Sequence, residues 1–286
     1  MSQRADTASL ILGLVALFSA AAASGTQTPA PNAASAPATA PAATLPHLTA
    51  KQIVANNVKA RGGLEAWRKI ETMVSIGHLE TGNPALPRVP FVLQQARPNK
   101  MRFEVHARDK TSVRVFNGVD GWKLRPSPGG GPELLAYTAE EIAAARDGLG
   151  VEGPLIDYQA KGIGVEFDGI DEVAGKKTYR LNVKLPSGAT RRWWIDAASF
   201  LDVKYERESR TPTGQSVTVS SSFANYRSID GLQIPFSIIN GQESGNAMGA
   251  MVIEKVFLNR PIGDQVFSKP HVPTRINSAN PLPSVQ

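Results

Sequence analysis

The sequence has 286 residues, and its 31 basic and 25 acidic residues give a formal net charge of +6. It contains 0 cysteines, which excludes disulfide scaffolds, thiolate metal sites, a cysteine nucleophile and the acylated cysteine of a lipoprotein. The basic residues alternate along predicted strands instead of clustering, so no nucleic-acid partner is expected.

The first residues have the pattern of an export signal. Residues 1–24 carry Arg4, an apolar run and a segment of alanines that fits signal-peptidase cleavage. The run is shorter than the about 20 apolar residues of a membrane span. We predict a signal peptide, then a disordered Ala/Pro-rich linker over residues 25–48. The expected product is a soluble periplasmic protein; the alternative is an uncleaved leader that anchors the chain in the inner membrane.

Residues 49–270 are predicted to form one domain, followed by a flexible tail over residues 271–286. Thr49 can cap a helix that ends at Gly62-Gly63, and a short second helix is predicted over 64–70. Short segments with alternating apolar and polar residues then predict strands. They lie near 73–81, 89–97, 101–107, 112–116 and 121–124.

A helical segment interrupts the strands in the middle of the chain. Thr138 and Glu141 form a capping-box pattern that opens a helix, and one or two further helical turns are predicted over 154–160. Because residues 138–160 lie between two runs of strands, we expect them to form a lid across the mouth or inner face of a curved sheet.

The second run of strands begins near 164–173. Residues 178–208 alternate apolar and charged side chains through three strands, which predicts an antiparallel meander with one apolar and one charged face. Pro235 predicts an edge or a bulge in its strand. The remaining strands are predicted over 217–223, 233–240 and 248–259.

Several short motifs occur in an order and spacing that resembles the outer-membrane lipoprotein carrier superfamily, LolA/LolB-like, over residues 49–270. They are GGLEAW at 62–67, NGVDGW at 117–122, GKKTY at 175–179, WWID at 193–196, FANY at 223–226, IDGLQIP at 229–235, VFLN at 256–259 and Phe267. The resemblance implies an α+β, mainly β fold in which a curved antiparallel sheet forms an incomplete β-barrel and helices cover its concave face. It further implies non-catalytic binding of a lipid or acylated lipoprotein.

The apolar face of the predicted sheet supplies candidate residues for an acyl-chain cavity, where each buried methylene stabilises a complex by about 0.8 kcal/mol. They are Met101, Phe103, Val105, Trp122, Leu181, Val183, Trp193, Ile195, Val203, Tyr205, Val219 and Phe223. Arg97 and Arg102 are candidates for the cavity-closing arginine that the resemblance implies. The alternative is that helices fill the concavity and that this face is an ordinary core.

The sequence has no pattern of a catalytic or metal site. It lacks HExxH and GxSxG, and its histidines are scattered. No catalytic residue, metal ligand or cofactor is therefore predicted. The predicted function is a periplasmic carrier of lipid or lipoprotein acyl chains, with membrane-associated envelope proteins as further candidate partners. The alternative is an envelope sensor or regulatory module of the same fold that binds a membrane-protein partner.

Overall fold

One antiparallel sheet of 13 strands dominates the protein. A computed structural model describes residues 45–108, 110–127, 131–148, 150–210, 214–242 and 247–272. The predicted signal peptide and most of the predicted linker and tail lie outside these residues. The strands are β1 (Thr72–Glu80), β2 (Arg88–Ala96), β3 (Lys100–Ala107), β4 (Lys110–Phe116), β5 (Gly121–Pro126), β6 (Pro132–Ala136), β7 (Gly164–Val173), β8 (Lys176–Lys184), β9 (Thr190–Asp196), β10 (Asp202–Arg210), β11 (Ser216–Ile229), β12 (Leu232–Gln242) and β13 (Ala247–Leu258).

The sheet consists of two meanders joined side by side. Its order is β6-β5-β4-β3-β2-β1-β13-β12-β11-β10-β9-β8-β7, so β1 pairs with β13 in the interior and the sheet has open edges at β6 and β7. These two edge strands follow one another in sequence, so the chain between them crosses from one edge to the other. The predicted mainly β, antiparallel architecture is confirmed. Strand β6 was not predicted, because its short sequence PELLA lacks a clear alternation.

Three α-helices and one 3₁₀-helix accompany the sheet among the described residues. They are α1 (Ala50–Ala60), α2 (Leu64–Arg68), α3 (Ala139–Arg146) and the 3₁₀-helix (Asp264–Phe267). Both predicted N-caps are confirmed: Thr49 forms a capping box with Gln52, and Thr138 forms one with Glu141. None of these helices is long and apolar enough to cross a membrane.

Glycine at position 62 lets α1 end against the sheet. Gly62 has a φ of +112°, and a Cβ there would lie 2.7 Å from the carbonyl oxygen of Gly231 in the β11–β12 turn. The neighbouring backbone is already joined, because the Gln233 N–H donates to the Arg61 carbonyl at 3.1 Å. A larger residue would push α1 and α2 away from the sheet.

One sequence prediction, the helical turns at 154–160, needs correction, while the edge predicted at Pro235 holds locally. Residues 154–160 form turns and not a helix, and Leu155 and Ile156 within them are fully buried. Pro235 lies in β12, an interior strand; it pairs with Tyr226 of β11, and the β12–β13 pairing begins only at Ser237. At Pro235 the β13 side of β12 is therefore a local edge of the sheet, as predicted, and a residue without an N–H is tolerated there.

Candidate functional site

The inner face of the sheet, meaning the face that α1 and α2 cover, is largely filled. We call α1, α2 and the turns at 150–163 the plug. Trp67 of α2 packs among residues of β1–β3, β12 and β13, while Ile53 and Val54 of α1 pack on β8 and β9. Five of the predicted cavity residues are buried here and have relative exposures of 0–5%. They are Val105, Leu181, Val183, Trp193 and Ile195. For this part of the face, the filled-core alternative describes the structure.

A buried polar connection fixes the plug to the sheet. One carboxylate oxygen of Asp202 accepts hydrogen bonds from Asn57 of α1 at 3.2 Å and from the indole N–H of Trp193 at 2.8 Å. The other oxygen lies 3.6 Å from Nε of Arg61. Asn57, Arg61 and Asp202 are all less than 9% exposed. This connection was not predicted, because its members come from different elements without a shared motif.

Trp122 does not belong to the inner face. It stands opposite Val115 in the β4–β5 pairing, and it packs with Val115, Leu124 and Phe267 of the 3₁₀-helix on the other, outer face. The first β5 residue that points inwards is Gly121, so the parity of this short strand was misjudged. Val203 is buried at a register shift in β10, which breaks the simple alternation used to place it.

Other predicted cavity residues are half-buried. They are Met101, Phe103, Tyr205, Val219 and Phe223. Tyr205 stacks on the buried Trp193 at 4.8 Å between ring centroids, and Phe223 lies 5.9 Å from Tyr205. An aromatic row therefore crosses β9, β10 and β11 on the inner face.

A cavity of about 630 Å³ lies beneath α3 on the inner face, beside the last residues of β10 and the first residue of β11. Met101 and Arg114 of β3 and β4 line it together with Arg207 and Ser209 of β10. Strands β3 and β10 lie six strand spacings apart, or about 29 Å along the sheet. The sheet must therefore curl strongly to bring them to one cavity. The remaining lining residues are Tyr137, Glu140, Glu141, Ala144, Ala145, Glu208 and Ser216.

Helix α3, which we call the lid, is held over this cavity by polar contacts. Glu141 receives hydrogen bonds from Lys123 of β5 at 2.8 and 2.9 Å, and lies 3.3 Å from Arg114 of β4. At the other end, Arg191 of β9 donates to the Asp147 carbonyl at 3.0 Å, and Ser187 donates to its carboxylate at 2.8 Å. The lid thus connects the two halves of the curled sheet. None of its residues, all of which are described, is buried.

The lid is shorter than predicted. Of the predicted segment 138–160, residues 139–146 form the helix above the cavity. The later residues belong to the plug, because Val151, Leu155 and Ile156 are packed in the two inner apolar clusters. A movement of the lid therefore does not require these residues to leave the core.

Neither of the two arginines predicted to close a cavity, Arg97 and Arg102, lines the cavity beneath the lid. Arg97 donates to the carbonyls of Ile70 and Trp67 at 2.7 and 3.1 Å and pairs with the buried Glu152 at 3.0 Å. It therefore joins the end of β2 to α2 and to the turns of the plug. Arg102 lies on the outer face, where it pairs with Glu104 and donates to the Val266 carbonyl.

Charged groups on the inner face surround the cavity. Arg207 is half-buried and has no hydrogen-bond or ion-pair partner among the described residues. The guanidinium of Arg114 lies over the Tyr137 ring at 5.0 Å. The Tyr137 hydroxyl is buried without a hydrogen-bond partner in the described part of the chain, and burial raises the pKa of this tyrosine. Burial also lowers the pKa of Arg191, which stacks over Tyr205 at 5.6 Å.

The alternation of the strands contained a signal for these residues. Arg207 follows Tyr205 by two residues, and Arg114 lies two residues from Phe116, so each arginine has the parity of the apolar face. An arginine at an inward position is unusual and should be considered as a candidate binding residue.

Comparison with solved structures shows similarity of fold. A DUF1329 family protein from Desulfovibrio piger is 12% identical, with 77% of this chain and 97% of that chain covered and a TM-score of 0.50. A LolA superfamily protein from Nitrosomonas europaea is 14% identical, with 78% and 99% covered and a TM-score of 0.49. A Vibrio parahaemolyticus domain described as an outer membrane lipoprotein-sorting protein is 11% identical, with 76% and 95% covered and a TM-score of 0.49.

The identities of 11–14% to these structures are low. No protein-family model and no curated protein sequence matches the chain. The likeness to the solved structures is one of fold.

Proposed function

We propose that this protein is an exported, non-catalytic carrier that binds the acyl chain of a lipid or lipoprotein in the cavity beneath the lid. The observation that carries the proposal is the cavity itself. Its volume of about 630 Å³ is typical of small-molecule sites, which measure ~300–1,000 Å³. Met101, Ala144, Ala145 and the ring of Tyr137 give it apolar walls.

The half-buried aromatic row extends this site. Val219 is the cross-strand neighbour of Arg207 at the cavity, and Phe223 follows on the same face of β11 beside Tyr205. An acyl chain that enters beneath the lid can therefore continue along Val219 and Tyr205 towards the plug. Burial of each methylene stabilises the complex by about 0.8 kcal/mol, so a long chain provides affinity without specific polar contacts.

The lid provides a route for loading and release. The plug occupies the remainder of the inner face, so the cargo enters and leaves at the end that α3 covers. Because the lid is held by hydrogen bonds and ion pairs and buries no described residue, its displacement exposes little apolar surface.

Native mass spectrometry of the purified full chain, with lipid extraction of the same sample, tests the proposal. We expect a discrete added mass that is identified as an acylated species. A144W places an indole in the cavity and should abolish uptake of a fluorescent fatty acid, whereas A143W on the same helix, outside the cavity lining, should not. A bare polypeptide that takes up no fatty acid, or equal uptake by both variants, would contradict the proposal.

A further inference from the structure

Two arginines stand directly opposite one another on the inner face at the cavity. Arg191 of β9 pairs with Arg207 of β10, so their side chains leave neighbouring strands on the same side. Like charges in this position repel and destabilise a sheet. Arg191 is compensated by its ring contact with Tyr205 and its hydrogen bond to the Asp147 carbonyl. Arg207 has no comparable partner among the described residues.

Two further groups are suited to bind an acceptor. The Tyr137 hydroxyl is buried beside the Arg114 guanidinium, which can only donate, so the hydroxyl proton has no acceptor among the described residues. Arg114 lies over the same ring and is only partly neutralised, because it shares Glu141 with Lys123. A bound anion would therefore satisfy the hydroxyl and balance the guanidinium groups together.

The carboxylates at the cavity do not fill this role. Glu141 is held by Lys123 and the lid cap, and Glu208 accepts hydrogen bonds from Ser216 at 2.7 Å and Thr218 at 3.0 Å. Glu140 is exposed at the start of the lid, where water screens its charge. None of the described carboxylates that line the cavity is therefore paired with Arg207.

From this geometry we infer that the cavity selects amphiphiles with an anionic head group, a carboxylate or a phosphate, which Arg207 binds together with Arg114 and the Tyr137 hydroxyl. The inference rests on the proposed function, because the apolar part of the same site holds the chain. Arginine suits both head groups, since its guanidinium donates two parallel hydrogen bonds to two oxygens. The head group would then lie at the lid while the chain extends along the aromatic row.

The test compares the affinities of three amphiphiles of equal chain length: palmitate, 1-hexadecanol and 1-palmitoyl lysophosphatidylglycerol. We expect at least one anionic amphiphile to bind the full chain about tenfold more tightly than the alcohol, as a charge-assisted hydrogen bond contributes. The two anionic ligands distinguish a free fatty acid from a lipid phosphate as the source. Inorganic phosphate alone should bind far more weakly, because it has no chain.

Variants of Arg207 connect the preference to the site. R207Q should lower the affinity for the preferred anion to that of the alcohol and leave the alcohol unchanged, while R207K should retain part of the preference. R88Q is the matched control, since Arg88 is an exposed strand arginine outside the cavity. The thermal midpoint of R207Q should be no lower than that of the unmodified protein, since the substitution relieves the repulsion from Arg191, and this shows that the fold is retained.

The outcomes separate this inference from the proposed function. Equal binding of all three amphiphiles, with no effect of R207Q, would overturn the head-group inference while the carrier proposal stands. Binding of inorganic phosphate as tight as that of the preferred anionic amphiphile would overturn it as well. If none of the three amphiphiles binds, the carrier proposal fails and the inference fails with it.

Discussion

The plug and the lid both cover the inner face, but different forces hold them there. Trp67, Ile53 and Val54 of the plug are 0–2% exposed and packed in the two inner apolar clusters. The lid buries none of its described residues, and contacts from Lys123 and Arg191 hold its two ends. Apolar burial is strong and non-directional, whereas a half-exposed polar contact contributes little and responds to pH and salt. The plug is thus part of the folding core, and the lid can open while the core remains folded.

Removal of an apolar anchor of the plug should lower the free energy of unfolding most. Trp67 is 1% exposed and its indole N–H donates to the Arg61 carbonyl at 3.0 Å. W67A should lower the free energy of unfolding by about 3–5 kcal/mol, because it leaves a cavity and removes one of the two hydrogen bonds to that carbonyl. Urea denaturation measures the change. A loss below about 1 kcal/mol would show that the plug is not part of the core.

Loss of the buried polar connection between the plug and the sheet should lower the free energy of unfolding slightly less. In D202A the side chains of Asn57, Arg61 and Trp193 lose their shared acceptor, and buried donors are left unsatisfied. We expect the free energy of unfolding to fall by about 3 kcal/mol. D264A is the control, since the Asp264 carboxylate is exposed and pairs only with Lys100 among the described residues. Equal denaturation curves for the two variants would contradict the role assigned to Asp202.

A change in the lid should have a local effect. E141Q removes the charge that Lys123 and Arg114 share, and should make opening of α3 easier by about 1 kcal/mol, or about fivefold in amide exchange. The urea midpoint should stay nearly constant. E133Q, at an exposed ion pair with Arg125, is the control. Equal acceleration of exchange in α1 and α3 would mean that lid and plug open together.

The smallest expected effect is a pH dependence of the contact that holds the lid in place. Burial acts to raise the pKa of Glu141, but hydrogen bonds from Lys123 and the Thr138 backbone and the charge of Arg114 outweigh it, so this pKa lies below its ordinary value of 4.5. The contact is therefore fully present above that ordinary value and is lost as the pH falls through the lowered pKa. A spin label at A143C should become more mobile as the pH falls below 4.5 and through this lowered pKa. The same label in E141Q should show no such step; a step of equal size there would assign the effect to another group.

The sequence predicted the fold of the molecule better than it predicted the cavity beneath the lid. Alternation and turn residues located twelve of the 13 strands, because a sheet with one covered face imposes a period of two on each strand. Trp122 was misplaced because a short strand such as β5 contains too few alternations to fix its parity. The cavity depends on how far the sheet curls, which brings β3 to β10, and no local pattern encodes this approach.

Because the prediction rests on alternation along each strand, it could find only apolar residues of the cavity. Met101 was predicted because it is apolar at an inward position, and it lines the cavity. Arg114, Arg207 and Tyr137 were not predicted, because polar side chains at inward positions depart from the alternation that identifies an apolar face. Contacts such as that of Glu141 with Lys123 join residues that no sequence motif relates.

Locking the lid tests most directly whether it controls access to the cavity. The chain has 0 cysteines, so E141C/K123C provides the two thiols for a short, reducible cross-linker between α3 and β5. The single-cysteine variants, treated identically, are the controls. We predict that the cross-link slows uptake and release of a fluorescent fatty acid at least tenfold and that reduction restores both rates. Equal rates before and after reduction would contradict the account, since the cargo would then reach the cavity without movement of the lid.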